Sequence, residues 1–369
     1  MKYPRYALLL HQMFRKKNPI LLTVFVTNRC NLDCRMCLNY KHLNSQEDEM
    51  TVEQYEAVAK SMRPLLWLIF SGGEPFIRDD LSSIAAVFAR HTFVRNISLP
   101  TNGCLQDSIL EQTERMLVDN PDVFFNVNLS VLGLEKVHDS ITRRDGSFNK
   151  LVRTRWALED FRKRYRNFRL SATITYSGYN HESVLQTLSW VFDELRTDSI
   201  SLNLTRGDTA EAVAKEYDIA NFIEGANRIV TAYKNRQFGY DKGRMKFFLP
   251  FYKAYYKRLV DEYAGKQFCS YCHAGRSTAV IYPNGDVYPC EILDKKYGNL
   301  RDANYDFEMV WNTPEAKETR RWIYSSKCQC YHGCYVSANL LVEPGFLIPI
   351  ALKAVWQGLV KSLSGRQGL

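Results

Sequence analysis

Along residues 20–204 the chain alternates between short apolar, β-prone runs and longer stretches with apolar positions at helical spacing. The runs lie at 20–26, 65–70, 93–99, 123–131, 168–175 and 199–204. The helix-like stretches lie at 52–62, 81–90, 108–118, 151–165 and 183–195. An apolar run bounded by polar residues reads as a buried strand, and regular strand–helix alternation predicts a parallel sheet with crossover helices. Further on the pattern changes. Two β-prone runs, 279–282 and 286–288, flank Pro283-Asn284-Gly285-Asp286 and predict a hairpin. At both ends, residues 3–17 and 346–363 mix apolar and basic positions.

Candidate chemistry enters at the end of the first run. Cys30, Cys34 and Cys37 fall in one short loop, Cys30-Asn31-Leu32-Asp33-Cys34-Arg35-Met36-Cys37. Thiolates at these spacings can converge on one metal centre, and they suit zinc or an iron–sulfur cluster. Three ligands leave a position open where a small molecule can bind. A structural zinc knuckle completed from elsewhere, with His42 near enough to serve, is the plain alternative.

This loop resembles the signature of the radical S-adenosylmethionine (SAM) enzymes, down to the bulky Met36 before the last cysteine. The resemblance implies a [4Fe-4S] cluster on Cys30, Cys34 and Cys37, with SAM on the fourth iron. It also implies an α/β fold, a partial (β/α)6 TIM-like barrel with a small C-terminal Cys-rich α+β domain. In such barrels functional groups gather at the carboxyl ends of strands, and the next motifs fall there. Ser71-Gly72-Gly73-Glu74-Pro75 is similar to the element that holds the SAM amino group, which places Gly72, Gly73, Glu74 and Pro75 at the cofactor. Thr101 and Asn102 belong to a Thr-Asn-Gly turn found near the cofactor in similar enzymes. The region from Ser130 through His138-Asp139 to Gly146-Ser147-Phe148 resembles one whose Ser and Arg contact the SAM carboxylate. Those roles fall on Ser130 and on Arg143 or Arg144, each arginine reading equally well as a solvated helix-entry charge. Leu132 departs from the pattern, which commonly has aspartate there.

Cys269, Cys272, Cys290, Cys328, Cys330 and Cys334 form a second group. With the hairpin between them they resemble a SPASM or Twitch domain, which carries auxiliary iron–sulfur clusters. Two ligand sets stand open for one auxiliary [4Fe-4S] cluster. The first is Cys272 and Cys290 with two of Cys328, Cys330 and Cys334; the second is Cys269, Cys272 and Cys290 with one iron free. A zinc ribbon satisfies the same spacing. Cys104 reads as a packed small residue.

Composition fits this picture. The 369 residues allow two domains, and 46% apolar content with 13% aromatics supports packed cores. The expected boundaries are an N-terminal segment at 1–19, the barrel at 20–235 and a bridging helical segment at 236–266. The auxiliary-cluster domain follows at 267–340 and an amphipathic tail at 341–369. No signal peptide is evident, so a cytoplasmic address is expected, with ten cysteines serving metal rather than disulfides. A net charge of +9 is scattered, without an RNA-binding module, which argues against nucleic acid. The two ends either pack on the barrel or make peripheral membrane contact through Trp356 and its opposing lysines.

The resemblance implies a radical SAM enzyme that reductively cleaves SAM to a 5′-deoxyadenosyl radical. The radical removes hydrogen from an unactivated carbon of a small-molecule, lipid or peptide substrate. An electron donor such as flavodoxin or ferredoxin is implied as partner. The short segment before the first strand leaves no room for a peptide-leader-binding domain, so a peptide maturase would need a separate leader-binding partner. The chain also ends without the Gly-Gly tail expected in molybdenum-cofactor synthesis. A zinc-binding scaffold without catalysis is the remaining alternative.

Overall fold

The computed structural model describes residues 18–46, 48–235, 238, 242–266, 272–328 and 330–346. The amphipathic ends at 3–17 and 347–363, and Cys269, lie outside the described residues. So do the side chains of 242–248.

Nine strands form one sheet in the order β6-β5-β4-β3-β2-β1-β7-β8-β9. They are β1 (Leu21–Thr27), β2 (Trp67–Gly72), β3 (Asn96–Thr101), β4 (Phe124–Ser130), β5 (Phe168–Tyr176), β6 (Ser199–Leu204), β7 (Thr278–Ile281), β8 (Asp286–Tyr288) and β9 (Gly298–Asn299). Strands β1 to β6 are parallel throughout, as the strand–helix alternation predicts. Between them run α1 (Val52–Ser61), α2 (Leu81–Thr92), α3 (Gln106–Asp119), α4 (Glu135–Thr142), α5 (Ser147–Ala157), α6 (Glu159–Arg164) and α7 (Val184–Trp190). The helix-like stretch at 151–165 breaks at Leu158 into α5 and α6. Then follow α8 (Ala220–Lys234), α9 (Lys242–Tyr263), α10 (Phe307–Trp311), α11 (Pro314–Ser325) and α12 (Gly333–Val342).

Position in the sheet follows from side-chain pattern. All seven residues of β1 are buried, as a central strand covered on both faces requires. The hairpin β7–β8 docks on the other side of β1, with Leu21 opposite Thr278 and Val24 opposite Ile281 in parallel register. The Cys-rich region is thus hydrogen-bonded directly to the strand that leads into the three-cysteine loop. By contrast β4 and β6 alternate: Phe125, Val127 and Leu129, like Ile200, Leu202 and Leu204, are buried in the main core. Their Asn and Ser neighbours face the inside of the partial barrel. No helix among the described residues is long and apolar enough to cross a membrane.

Candidate active site

A cavity of about 470 Å³ opens at the carboxyl ends of the strands. Cys30, Cys34 and Cys37 line it, as do Gly72, Gly73, Glu74, Thr101, Asn102 and Ser130. Pro75 lies behind the wall, buried at the start of a short 3-10 turn.

The three-cysteine loop is held by its backbone from several sides. Asn44 Oδ1 accepts from Cys30 N at 2.9 Å, and Ile141 O accepts from Arg35 N at 2.9 Å. The segment after β6 returns to it: Ala210 N donates to Cys37 O at 3.1 Å and Glu211 N to Arg35 O at 2.9 Å. Burial pushes the Cys30 thiol up to about 12, and it raises Cys34 and Cys37 as well. The mutual proximity of the three sulfurs adds to the shift at Cys30 and Cys34. Such a set is costly as three bare thiolates and is relieved by a cation, so the donor chemistry fits a thiolate-bound cluster.

Gly72 and Gly73 explain why the second motif must be glycine. Gly73 N donates to Thr27 O at 2.8 Å and Glu74 N to Arg29 O at 2.9 Å. A Cβ on Gly72 or on Gly73 would sit 2.1 Å from the carbonyl oxygen of Thr27 or Arg29 respectively, and Gly72 has φ +125°. The pair therefore packs β2 against the entry to the cysteine loop. Glu74, 1% exposed, accepts from Thr101 Oγ1 at 2.9 Å, Asn102 N at 2.8 Å and Phe76 N at 3.3 Å. Burial raises its carboxyl to about 7 against these donors. Asn102 Nδ2 in turn donates to Asn31 Oδ1 at 2.7 Å, so three sequence motifs form one connected edge.

The two arginines sit apart from that edge. Arg143 Nη1 donates to Asp33 Oδ2 at 2.7 Å, and its Nη2 meets Glu211. Arg144 Nη2 donates to the Asn31 carbonyl at 3.3 Å. Both tie the rim of the cysteine loop, and neither lines the cavity. Asp139 caps the start of α5 by accepting from Gly146 N, Ser147 Oγ and Phe148 N at 2.7–2.8 Å. Leu132 lines the cavity, with its carbonyl taken by Asn180 Nδ2 at 2.7 Å. Its amide donates to His138 Nδ1 at 3.3 Å, and burial holds that imidazole down at about 4. Cys104 is packed beside this edge, with burial pushing its thiol up to about 11.

The described C-terminal cysteines lie near one another, with Cys334 also facing the cavity. Burial raises Cys272 to about 12 and Cys290 to about 11; Cys328 adds to both, and Cys290 adds to Cys272. Cys330 is raised by burial and then by Cys272 and Cys290. Cys334, in the first turn of α12, packs on the same apolar cluster as Cys272, Cys290 and Cys328. After burial, Glu291 and Arg206 dominate its surroundings, and it lines the cavity. Among the described residues, no three Cys, His or acidic groups are gathered as a single-ion site would need.

The barrel's inner wall carries groups that the sequence reading missed. Asn128 Nδ2 donates to Thr173 Oγ1 at 2.8 Å, and Thr173 Oγ1 and Ser201 Oγ lie 2.7 Å apart. Ser171 Oγ bonds Asn126 and Ser199 in the same lateral fashion. The period-two pattern Phe125-Asn126-Val127-Asn128-Leu129-Ser130 and Ser199-Ile200-Ser201-Leu202-Asn203-Leu204 was the available signal. Also unforeseen is a buried charged group on this wall. Glu291 Oε2 lies 2.8 Å from His332 Nε2 and 3.4 Å from Arg206 Nη2. Burial works to raise Glu291, but His332 and Arg206 outweigh it and hold the carboxyl at about 2.

Residues 24–191 match the Radical SAM superfamily, and residues 272–335 match SPASM, an iron–sulfur cluster-binding domain. Among curated proteins, a probable GTP 3′,8-cyclase of Methanothermobacter marburgensis is 27% identical over 76% of this chain and 87% of its own length. The antilisterial bacteriocin subtilosin biosynthesis protein AlbA of Bacillus subtilis is 23% identical over 80% of this chain and 60% of its own. The PqqA peptide cyclase of Bradyrhizobium diazoefficiens is 23% identical over 81% and 74%. Among solved structures, Streptococcus suis SuiB bound to S-adenosylmethionine superposes with a TM-score of 0.58 at 18% identity, covering 89% of this chain and 75% of SuiB. AdoMet-bound anSMEcpe gives 0.56 at 19% identity, over 86% and 88%. Both structural matches speak to the fold.

Proposed function

Because the chain belongs to the radical SAM superfamily and carries a SPASM domain, we propose that the cavity at the strand ends is where SAM and substrate meet. The family implies a [4Fe-4S] cluster and SAM, and the SPASM domain implies auxiliary iron–sulfur. When bound, they supply reductive SAM cleavage and a 5′-deoxyadenosyl group that removes hydrogen from an unactivated carbon. The observation that carries the reading is the opening of Cys30, Cys34 and Cys37 onto the same cavity as Gly72, Gly73 and Glu74.

The roles follow the geometry. Cys30, Cys34 and Cys37 hold the catalytic cluster. Gly72 and Gly73 bring bare backbone to the SAM head group, while Glu74 fixes Thr101 and Asn102 beside it. Ser130 faces the cofactor from β4. Arg143 and Arg144 brace the cysteine loop and leave the direct cofactor contacts to the groups that line the cavity. The mutual neighbourhood of Cys272, Cys290, Cys328 and Cys330 supports these four as auxiliary-cluster ligands, serving electron transfer or substrate binding. On this division residues 20–235 form the catalytic barrel and 267–340 the auxiliary-cluster unit, with flavodoxin or ferredoxin as electron donor.

The substrate is a small molecule, lipid or peptide. Peptide maturation with a separate leader-binding partner is the second reading, favoured by the similarity to AlbA and to the PqqA peptide cyclase. The test is anaerobic incubation of reconstituted protein with dithionite and SAM, followed by chromatography for 5′-deoxyadenosine. Its formation by wild type and absence from Cys34→Ala is expected. Equal yields from both proteins would reject the cysteine assignment.

A further inference from the structure

Arg206 follows β6 at the point where β6, the segment after β8 and the start of α12 converge on the cavity. Its guanidinium is incompletely used. Nη2 reaches Glu291 Oε2 at 3.4 Å, a long contact to an oxygen that also accepts from His332 Nε2 at 2.8 Å. His332 is fixed in turn: its Nδ1 accepts from Cys334 N at 3.3 Å at the N-terminus of α12, which leaves Nε2 as the donor to Glu291. Arg206 Nε is buried and has no acceptor. A buried N–H of a charged group left unbonded is expensive, so this atom is poised for an acceptor from outside the chain.

The surroundings define that acceptor. Arg206 is the one cation among the described residues that line the cavity. The adjoining wall of β4, β5 and β6 is neutral, made of Asn, Ser and Thr side chains already bonded laterally. A guanidinium edge matches two oxygens on one centre, the geometry of a carboxylate or a phosphate. Glu291 occupies that edge only loosely and from one end, so an incoming oxyanion can take Nε and compete for Nη2.

We propose that Arg206, exchanging its loose contact with Glu291 for the ligand, anchors an anionic head group of the substrate, a carboxylate or a phosphate. This rests on the cavity being the substrate site, as proposed above. It places the charged end of the substrate beside β6 and α12 and leaves its neutral part along the amide and hydroxyl wall.

The test uses reconstituted full-length protein with SAM, in anaerobic equilibrium dialysis against three probes of similar shape: glucose 6-phosphate, glucuronate and glucose. Wild type is expected to hold at least one charged probe about tenfold or more tighter than glucose, as a hydrogen bond to a charged group allows. Whichever charged probe wins distinguishes phosphate from carboxylate. Arg206→Gln should abolish the preference and Arg206→Lys should keep part of it. Glu291→Gln should strengthen binding of the charged probe by removing the competing carboxylate. Iron content and SAM binding, measured in parallel, should match wild type in Arg206→Gln and Arg206→Lys.

Equal binding of the three probes by wild type would overturn the proposal. So would an undiminished preference in Arg206→Gln, or iron loss from a folded Arg206→Gln protein, which would assign the guanidinium to the cluster. If Arg206→Gln does not fold, Arg206→Lys decides, since a charged-over-neutral preference equal to that of wild type there would overturn anchoring by the guanidinium edge. Failure of wild type to bind SAM would instead strike the reading of the cavity itself.

Discussion

The two cysteine sites are built in different ways. Cys30, Cys34 and Cys37 come from one loop whose backbone is bonded to residues 44, 141, 210 and 211. Cys272, Cys290 and Cys328 come from segments before β7, after β8 and after α11 and pack with Cys334 on one apolar cluster, with Cys330 near Cys272 and Cys290. In the first group the loop backbone itself is tied down by hydrogen bonds. The second depends on tertiary packing around Phe25, Val280, Ile323 and Tyr335, so its ligands are brought together only when the hairpin has docked on β1. Backbone hydrogen bonds, most of them from residues distant in sequence, therefore hold the first group of cysteines, whereas apolar packing of the docked hairpin gathers the second.

Substitution of single thiols gives the largest separation. Cys330→Ala should lose the auxiliary cluster, a fall of about four irons per chain, whereas Cys334→Ala should keep it; iron and sulfide assays after reconstitution decide. The reverse outcome would move Cys334 into the ligand set. Next in size is Gly73→Ala, whose methyl would collide with the Arg29 carbonyl. It should cost roughly 3 kcal/mol of stability in thermal unfolding and weaken SAM binding, because the contact it breaks positions the first site. Glu74→Gln sets an amide donor among three donors and should cost about 2 kcal/mol, again measured by unfolding. A neutral result would mean that Glu74 is already protonated in the folded protein.

The smallest effect concerns pH and does not depend on metal. His138 is held down at about 4 by burial, below its ordinary 6.5. The folded state thus favours the neutral ring, so this contribution is complete above about pH 6.5 and is lost as pH falls towards 4. Between pH 7 and 5.5 the loss should be roughly 1 kcal/mol. Denaturant titrations at both pH values, with His138→Gln as the comparison, should show a shallower loss in the variant. An identical slope in the two proteins would remove His138 from the account.

Legibility in the sequence divides along the same line as construction. The parallel strands and the three-cysteine loop were readable because each is contiguous: an apolar run, then three thiols at fixed spacing. Gly72-Gly73-Glu74 and Thr101-Asn102 were readable as motifs, but their joint edge was not, since it depends on bonds from Glu74 to Thr101 and from Asn31 to Asn102. For the second group, Cys328, Cys330 and Cys334 are too closely spaced for sequence to rank them as ligands, since their places depend on the turn that leads into α12. The ion pairs of Arg143 with Asp33 and Glu211 were not legible either, since both partners are distant in sequence. Arg206 carried no sequence signal, since its significance lies in Glu291 and His332, brought to it by the hairpin and α12.

The most direct measurement of the central claim is iron and acid-labile sulfide content, with EPR, after anaerobic reconstitution of wild type and the Cys30/Cys34/Cys37→Ala protein. Two independently built sites predict about eight irons in wild type and about four in the variant, with a SAM-responsive EPR signal only in wild type. Zinc in place of iron, or a variant that retains the SAM-responsive signal, would contradict the account.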